Sequence, residues 1–331
     1  MLKKLSLIFL LFSLGFSTEN SLVEIVQNYR HNGIESTRQI LDKVLEKESF
    51  WMEVLGNQDT DFGYYEGANF LFLFNKDNAS LILYKIENGH LTQLQQTNAI
   101  MGIGGGAKQK KGDKVTPIGV YNFVELLEKL DPYYGPMAFA TNYPNTYDNL
   151  LNRTGSGIWL HGLPLNGDRK DQNTKGCIAV ENNLIQEFNK TIDYKKTLLL
   201  SYDKDLPKAE KKDLALILSM LYQWKDAWVH NDIKRYLGFY APDFKKADGS
   251  SLAKFSAYKT RVFNKKEEKS IRFYDIDVVP YPNIEGKQLF RVTFLQHYTA
   301  YKNKSMTYNS KDSKELYVQI HDNKASIFIE K

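Results

Sequence analysis

The 331-residue chain has little cysteine, little histidine and few long apolar stretches. Its one cysteine, Cys177, leaves no possibility of an internal disulfide. Six histidines, with no Cys, His and carboxylate cluster at ligand spacing, do not supply the ligands that a zinc centre needs, and no metal or other cofactor is expected. An excess of one charge is also missing. The 44 Lys and Arg against 39 Asp and Glu leave a formal charge of +5, which is not the basic footprint of a nucleic-acid binder. Beyond Asn20 no segment is long and apolar enough to span a bilayer, so no stable membrane insertion is expected.

What is present is the composition of a folded protein: 42% hydrophobic, 13% aromatic and 25% charged residues. The length predicts about two or three domains. Residues 1–17 read as a secretory signal peptide, with Lys3 and Lys4 before an apolar run from Leu5 to Phe16 and a small-x-small site at Gly15-Phe16-Ser17. Export would leave Cys177 as an unpaired thiol in an oxidising compartment, where a reactive role competes with that of a small buried hydrophobe.

Helical spacing follows from Leu22 to Leu45, broken at Asn32-Gly33. Residues 18–66 are therefore expected to form a helical region too small for its own core, which predicts a homodimer. From residue 67 to 203 the pattern is β-rich. Asn69–Phe74 reads as a buried strand, Ala79–Ile86 returns, and Leu91–Leu94 continues an antiparallel meander. The glycines of Met101–Gly106 lack a GK[ST] ending and an adjoining helix, so they read as a loop passing near a substrate rather than a phosphate loop. Thr116–Tyr121 reads as a turn into a strand, and Phe123–Leu130 as helix-like. Asp131–Pro136 forms an aromatic loop, Glu181–Asn189 a short helix and Thr197–Tyr202 a closing strand.

A charged linker, 204–212, precedes a final region, 213–331. There an amphipathic helix carries Leu214 to Trp228, and long alternating runs follow from Ile271 to Ile329. Helices followed by a curved antiparallel sheet make an α+β domain. Its histidines, His230, His297 and His321, read as ordinary surface or cleft residues.

The chemistry concentrates between Ile158 and Val180. His161 and Cys177 stand 177 − 161 = 16 residues apart, each beside a short apolar segment. Two strands bringing an imidazole to a thiol are the simplest reading, since a thiolate is the nucleophile and an adjacent imidazole favours it. The N–H groups of Gly176 and Cys177 are expected to meet an oxyanion. Asp168, Asp171 or a backbone carbonyl could orient His161.

His161-Gly162, followed by Thr174-Lys175-Gly176-Cys177, resembles the HG…[ST]-x-G-C signature of the L,D-transpeptidase (YkuD or ErfK-type) catalytic domain. Thr116-Pro117-Ile118-Gly119-Val120-Tyr121 resembles the TPxGxY segment of the same family. The resemblance implies a catalytic set of Cys177, His161, Gly176 and Gly162, with Trp159, Arg169, Thr174, Lys175, Thr116 and Tyr134 bordering the substrate. The family usually carries Arg or Asn two residues after the cysteine, where this chain has Ala179, so Arg169 or Lys175 is expected to take over a carboxylate contact. Trp224–Phe244 resembles an NTF2-like domain. The whole is then a multidomain α+β protein that looks like the cell-shape L,D-carboxypeptidases of helical bacteria. That implies trimming of peptidoglycan stem peptides in the periplasm and an unidentified ligand in the C-terminal domain. A transpeptidase and a non-catalytic wall-binding scaffold are the alternatives.

Overall fold

The structure, a computed structural model, describes residues 18–167, 172–206 and 208–331. The signal peptide expected over 1–17, and Asp168, Arg169 and Asp171, lie outside the described residues.

Two units result, one ending at Leu45 and one running from Glu46 to Lys331. The first is the helix α1 (Thr18–Leu45), interrupted at Gly33, whose φ of 80° and ψ of −178° are not helical. Asn28 donates across the break to Ser36 and Thr37, at 3.2 and 3.1 Å. In a straight helix residues eight apart are about 12 Å distant, so the chain turns back at Gly33, where the Asn-Gly break predicts it.

The second unit opens with α2 (Glu48–Val54) and β1 (Tyr64–Tyr65). Then come β2 (Phe70–Asn75), β3 (Ser80–Glu87), β4 (His90–Asn98), β5 (Gly119–Leu127), β6 (Ala138–Thr141), α3 (Thr146–Leu150), β7 (Trp159–His161), β8 (Ile178–Ala179), α4 (Asn182–Thr191) and β9 (Thr197–Tyr202). The remainder is α5 (Lys211–Val229), α6 (Ile233–Leu237), β10 (Tyr240–Lys246), α7 (Leu252–Phe263), β11 (Glu268–Pro280), β12 (Leu289–Lys302), β13 (Ser305–His321) and β14 (Lys324–Glu330).

One sheet has the order β4-β3-β2-β9-β5-β6-β7-β8. Its central strands are apolar at nearly every position because both faces are covered, and strand side chains alternate between faces. Phe72, Phe74, Tyr121 and Leu199 point to one core with Leu160, Ile178 and the α4 residues Ile185 and Phe188. Leu71, Leu73, Val120, Leu198 and Leu200 point to the other, against Val279, Tyr281, Leu289, Tyr317 and Ile329 of the C-terminal region. The C-terminal sheet, β1-β11-β12-β13-β14-β10, thus covers the back of the first.

The expected helix over Phe123–Leu130 is a strand as far as Leu127. Its pairing with β6 shifts register between Phe123 and Glu125, and this irregularity breaks the two-residue alternation that marks a strand. Residues 46–66 of the expected helical region belong to the second unit. Trp51 stacks on Tyr222 at 5.5 Å, Gln223 donates to the Glu46 carbonyl at 2.9 Å, and Tyr64 and Tyr65 pair with Val278 and Asp277. Residues 46–65 therefore pack with the C-terminal region.

Buried polar contacts join the two sheets. Arg153 pairs with Asp148 at 3.0 Å and Glu285 at 2.8 Å, Asn145 donates to the Tyr281 hydroxyl at 2.8 Å, and Arg291 to Asn122 at 2.6 Å. Among the described residues no helix is long and apolar enough to cross a membrane.

Candidate active site

β7 and β8 are parallel neighbours, with Leu160 opposite Ile178 and His161 opposite Ala179. Cys177 immediately precedes β8, two positions upstream of the residue paired with His161. Trp159 and Leu160 form β7 because Leu160 enters the core while β6 pairs along the other edge. Strand pairing alone therefore brings imidazole and thiol to one end of the sheet.

His161 is 1% exposed, and its Nδ1 lies 2.6 Å from the Gly162 carbonyl oxygen. A carbonyl only accepts, so Nδ1 carries the proton and Nε2 is left as the basic nitrogen. Among the described residues, the Gly162 backbone carbonyl orients the ring. Gly162 must be glycine: a Cβ there would sit 2.3 Å from Asn182 Oδ1 and 2.9 Å from Pro136 Cδ. Asn182 Oδ1 also accepts from the Leu163 N–H at 2.8 Å. Nothing in the sequence pattern marked Asn182, which was visible only as a polar residue opening α4.

Cys177 is 8% exposed, and its Sγ donates to the Gly157 carbonyl at 3.3 Å. Gly176 before it has φ +121° and packs on the Val115 carbonyl, which a Cβ would approach to 2.9 Å. Thr174, 7% exposed, braces this turn, because its Oγ1 accepts from the Gly176 N–H at 3.1 Å and donates to the Cys177 carbonyl at 2.7 Å. The Gly176 N–H is engaged by Thr174, and Thr174 holds the backbone on both sides of the nucleophile's turn.

The glycine loop lies against this turn. Ile100 and Ala179 exchange both backbone hydrogen bonds, at 2.8 and 2.7 Å, and the Thr174 N–H donates to the Met101 carbonyl at 2.8 Å. Thr116, 1% exposed, accepts from the Gly102 N–H at 2.9 Å. Its hydroxyl thus holds that loop against the turn. Ala179 is fully buried, paired with His161 on one side and Ile100 on the other.

The aromatic loop stands over the imidazole. Asp131 caps a 3-10 turn by accepting from the Tyr133 N–H at 2.9 Å, and Tyr134 accepts through its carbonyl from Gly162 at 3.1 Å. The Tyr134 ring meets His161 and Trp159 edge-on, at centroid distances of 5.2 and 5.1 Å. Burial, and then the negative charge of a Cys177 thiolate, raise the Tyr134 phenol above its usual value. Trp159 is half-buried and Lys175 exposed. Among the described residues there is no cluster able to hold a metal ion.

The arrangement is a thiol nucleophile and an imidazole base of fixed tautomer beneath an aromatic wall, suited to acyl transfer through a thioester. Residues 70–200 match YkuD, the L,D-transpeptidase catalytic domain, and residues 216–331 match the Cds6 C-terminal NTF2-like domain. No curated protein sequence matches the chain. Among solved structures, the helical cell shape determining protein Pgp2 from Campylobacter jejuni is 36% identical, with a TM-score of 0.78 over 86% of this chain and 99% of that one. A single-substitution variant of that protein gives 35% identity and a TM-score of 0.79 over 87% and 99%. Bd1075 from Bdellovibrio bacteriovorus, 24% identical with a TM-score of 0.65 over 82% and 96%, shares the fold. The chain belongs to the family of Pgp2, with an L,D-transpeptidase catalytic domain followed by an NTF2-like domain.

Proposed function

We propose that this protein is an exported peptidoglycan L,D-carboxypeptidase that removes the terminal D-alanine from tetrapeptide stems. The observation that carries the reading is the Cys177–His161 strand pair, with Nδ1 tied to the Gly162 carbonyl. The Cys177 thiolate attacks the carbonyl carbon of the third stem residue. The C–N bond to D-alanine breaks as imidazolium Nε2 protonates the leaving amine, and a thioester remains. Nε2 then takes a proton from water, whose oxygen attacks the thioester and releases the tripeptide carboxylate and the thiol. Hydrolysis is favoured over transfer to a second stem because Cys177 and His161 are both nearly enclosed beneath Tyr134, and water needs less room than an acceptor peptide.

The relative's name, helical cell shape determinant, supports a role in cell shape. The 1–17 leader supports a periplasmic location. Exposed Leu22, Val23, Val26 and Ile34 on α1 support a homodimer formed through that region, and light scattering of the full chain giving a monomer would remove it. For a ligand in the C-terminal domain, the support is Lys259. Its ammonium lies 4.5 Å from the Trp228 ring centre and 5.2 Å from those of Tyr236 and Phe255. Nearby, Trp228 Nε1 is buried without a hydrogen-bond partner among the described residues.

Purified enzyme incubated with tetrapeptide muropeptides is expected to give tripeptides and free D-alanine. Cross-linked dimers without tripeptide would make it a transpeptidase. A Cys177→Ala variant that fully restored a deletion strain would make it a scaffold.

A further inference from the structure

Outside the strand pair, the charge next to the nucleophile has no assigned task. The segment 107–116 carries Lys108, Lys110, Lys111 and Lys114 against one acid, Asp113. That acid is consumed internally. It forms an ion pair with buried Lys108 and accepts from the N–H groups of Gln109, Lys110 and Val115 at 2.8, 2.9 and 3.1 Å. Lys110, Lys111 and Lys114 are exposed, as is Lys175, and among the described residues none of the four is paired with a carboxylate.

An exposed lysine run is commonly a solubilising face, but this one is built into the active-site turn. The Ile103 N–H donates to the Lys114 carbonyl at 2.9 Å. Gly102 lies so close that a Cβ on it would come 2.0 Å from that carbonyl and 3.0 Å from Gly176 Cα. The backbones of Lys114 and Val115 therefore lie against the residue before Cys177, Lys114 through Gly102 and Val115 directly. Lys111 is tied through its N–H to Thr154 Oγ1 at 3.2 Å, and the Thr154 N–H to the Gln109 carbonyl at 3.0 Å. That segment continues to Gly157, the acceptor of the Cys177 thiol. Lys175 stands on the turn itself. The lysines thus border the nucleophile from two connected segments, while buried Ala179 offers no cation of its own.

We propose that Lys111, Lys114 and Lys175 form a basic rim that selects stem peptides with free carboxylates beside the scissile bond over stems in which those groups are amidated. This deepens the carboxypeptidase reading and rests on it for the identity of the substrate. Long-range attraction between exposed charges acts on capture of the substrate, not on the bond-breaking step, so the rim bears on binding and leaves turnover at saturation intact.

The test measures binding and turnover separately. In the full chain carrying Cys177→Ala, calorimetry compares a tetrapeptide stem with a free α-carboxylate at its second residue against the same stem amidated there. The free stem is expected to bind about tenfold tighter, exposed pairs contributing a factor of up to about five each. Raising salt to about 1 M, where screening acts within about 3 Å, should erase the difference. Lys111→Gln, Lys114→Gln and Lys175→Gln together should remove the preference while the melting temperature is unchanged. Equal binding of the two stems, or a preference that survives the triple substitution, overturns the proposal. D-alanine release by the enzyme with Cys177 intact tests the carboxypeptidase reading alone: its absence defeats that reading and leaves the binding comparison to decide the rim.

Discussion

Replacing Thr174 by valine keeps the shape of a 7%-exposed side chain and deletes one hydroxyl. That hydroxyl accepts from the Gly176 N–H and donates to the Cys177 carbonyl. The substitution strands a donor and an acceptor in the turn that aims the nucleophile. Each buried polar group left without a partner costs about 1–3 kcal/mol. With no relaxation the two would cost about 2–6 kcal/mol in the native turn. The turn can instead shift, trading that cost for misplacement of Sγ, and 1.4 kcal/mol of lost transition-state stabilisation is about tenfold in rate. Thr174→Val is therefore expected to lower kcat by about ten- to a hundredfold with KM nearly unchanged, because both hydrogen bonds of the Thr174 hydroxyl go to the backbone around Cys177. Thr174→Ser restores both hydrogen bonds and should restore kcat. The assay is D-alanine release over a range of tetrapeptide concentrations, with thermal melts run alongside. Unchanged kcat in the valine variant, or equal damage in the serine variant, refutes the bracing role. A rise in KM alone would mean that Thr174 does touch the substrate.

Gly162→Ala should cost at least tenfold in kcat, since its Cβ would press on Asn182 Oδ1 at 2.3 Å and move the carbonyl that orients His161. A Gly162→Ala, Asn182→Ala double variant that recovers no activity would show that Pro136 also resists the shift. Arg153→Leu should destabilise the fold by about 3–5 kcal/mol in chemical denaturation, because it leaves Asp148 buried without its cation; a loss under 1 kcal/mol would mean that the cluster between the sheets is not a net tie. Burial pushes the Asp277 carboxyl up to about 6, although its Oδ1 accepts three N–H groups, from Glu66, Gly67 and Ala68. A raised carboxyl pKa means that the folded state holds its proton more tightly than the unfolded chain. Its contribution is therefore full below about pH 4 and falls as pH rises from about 4 to about 6. Asp277→Asn keeps Oδ1 and removes the titration, so its stability should lose that slope; an unchanged slope would place the titration elsewhere.

How much could be read from the chain differs from element to element. β2 was legible because FLFLF has apolar residues on both faces, and α5 because its apolar residues recur at helical spacing from Leu214 to Trp228. β5 was legible only at its start, near Tyr121, since its bulge puts Glu125 where a strand would continue its alternation. β1 escaped because two tyrosines in a loop carry no period, and only the partner strand, 277 − 65 = 212 and 278 − 64 = 214 residues away, defines them.

The same division runs through the active site. The identities of Cys177 and His161, the family they resemble and the aromatic loop were present in the sequence, because nucleophile and base must be those residue types at strand ends. The tertiary structure decided their service. It gave the His161 tautomer to the Gly162 carbonyl, turned Thr174 and Thr116 inward to hold backbone, and set the lysine segment against Gly176. Local sequence encodes what a side chain can do. Which hydrogen bond satisfies it is settled by segments far along the chain, and burial obliges each of those groups to find a partner.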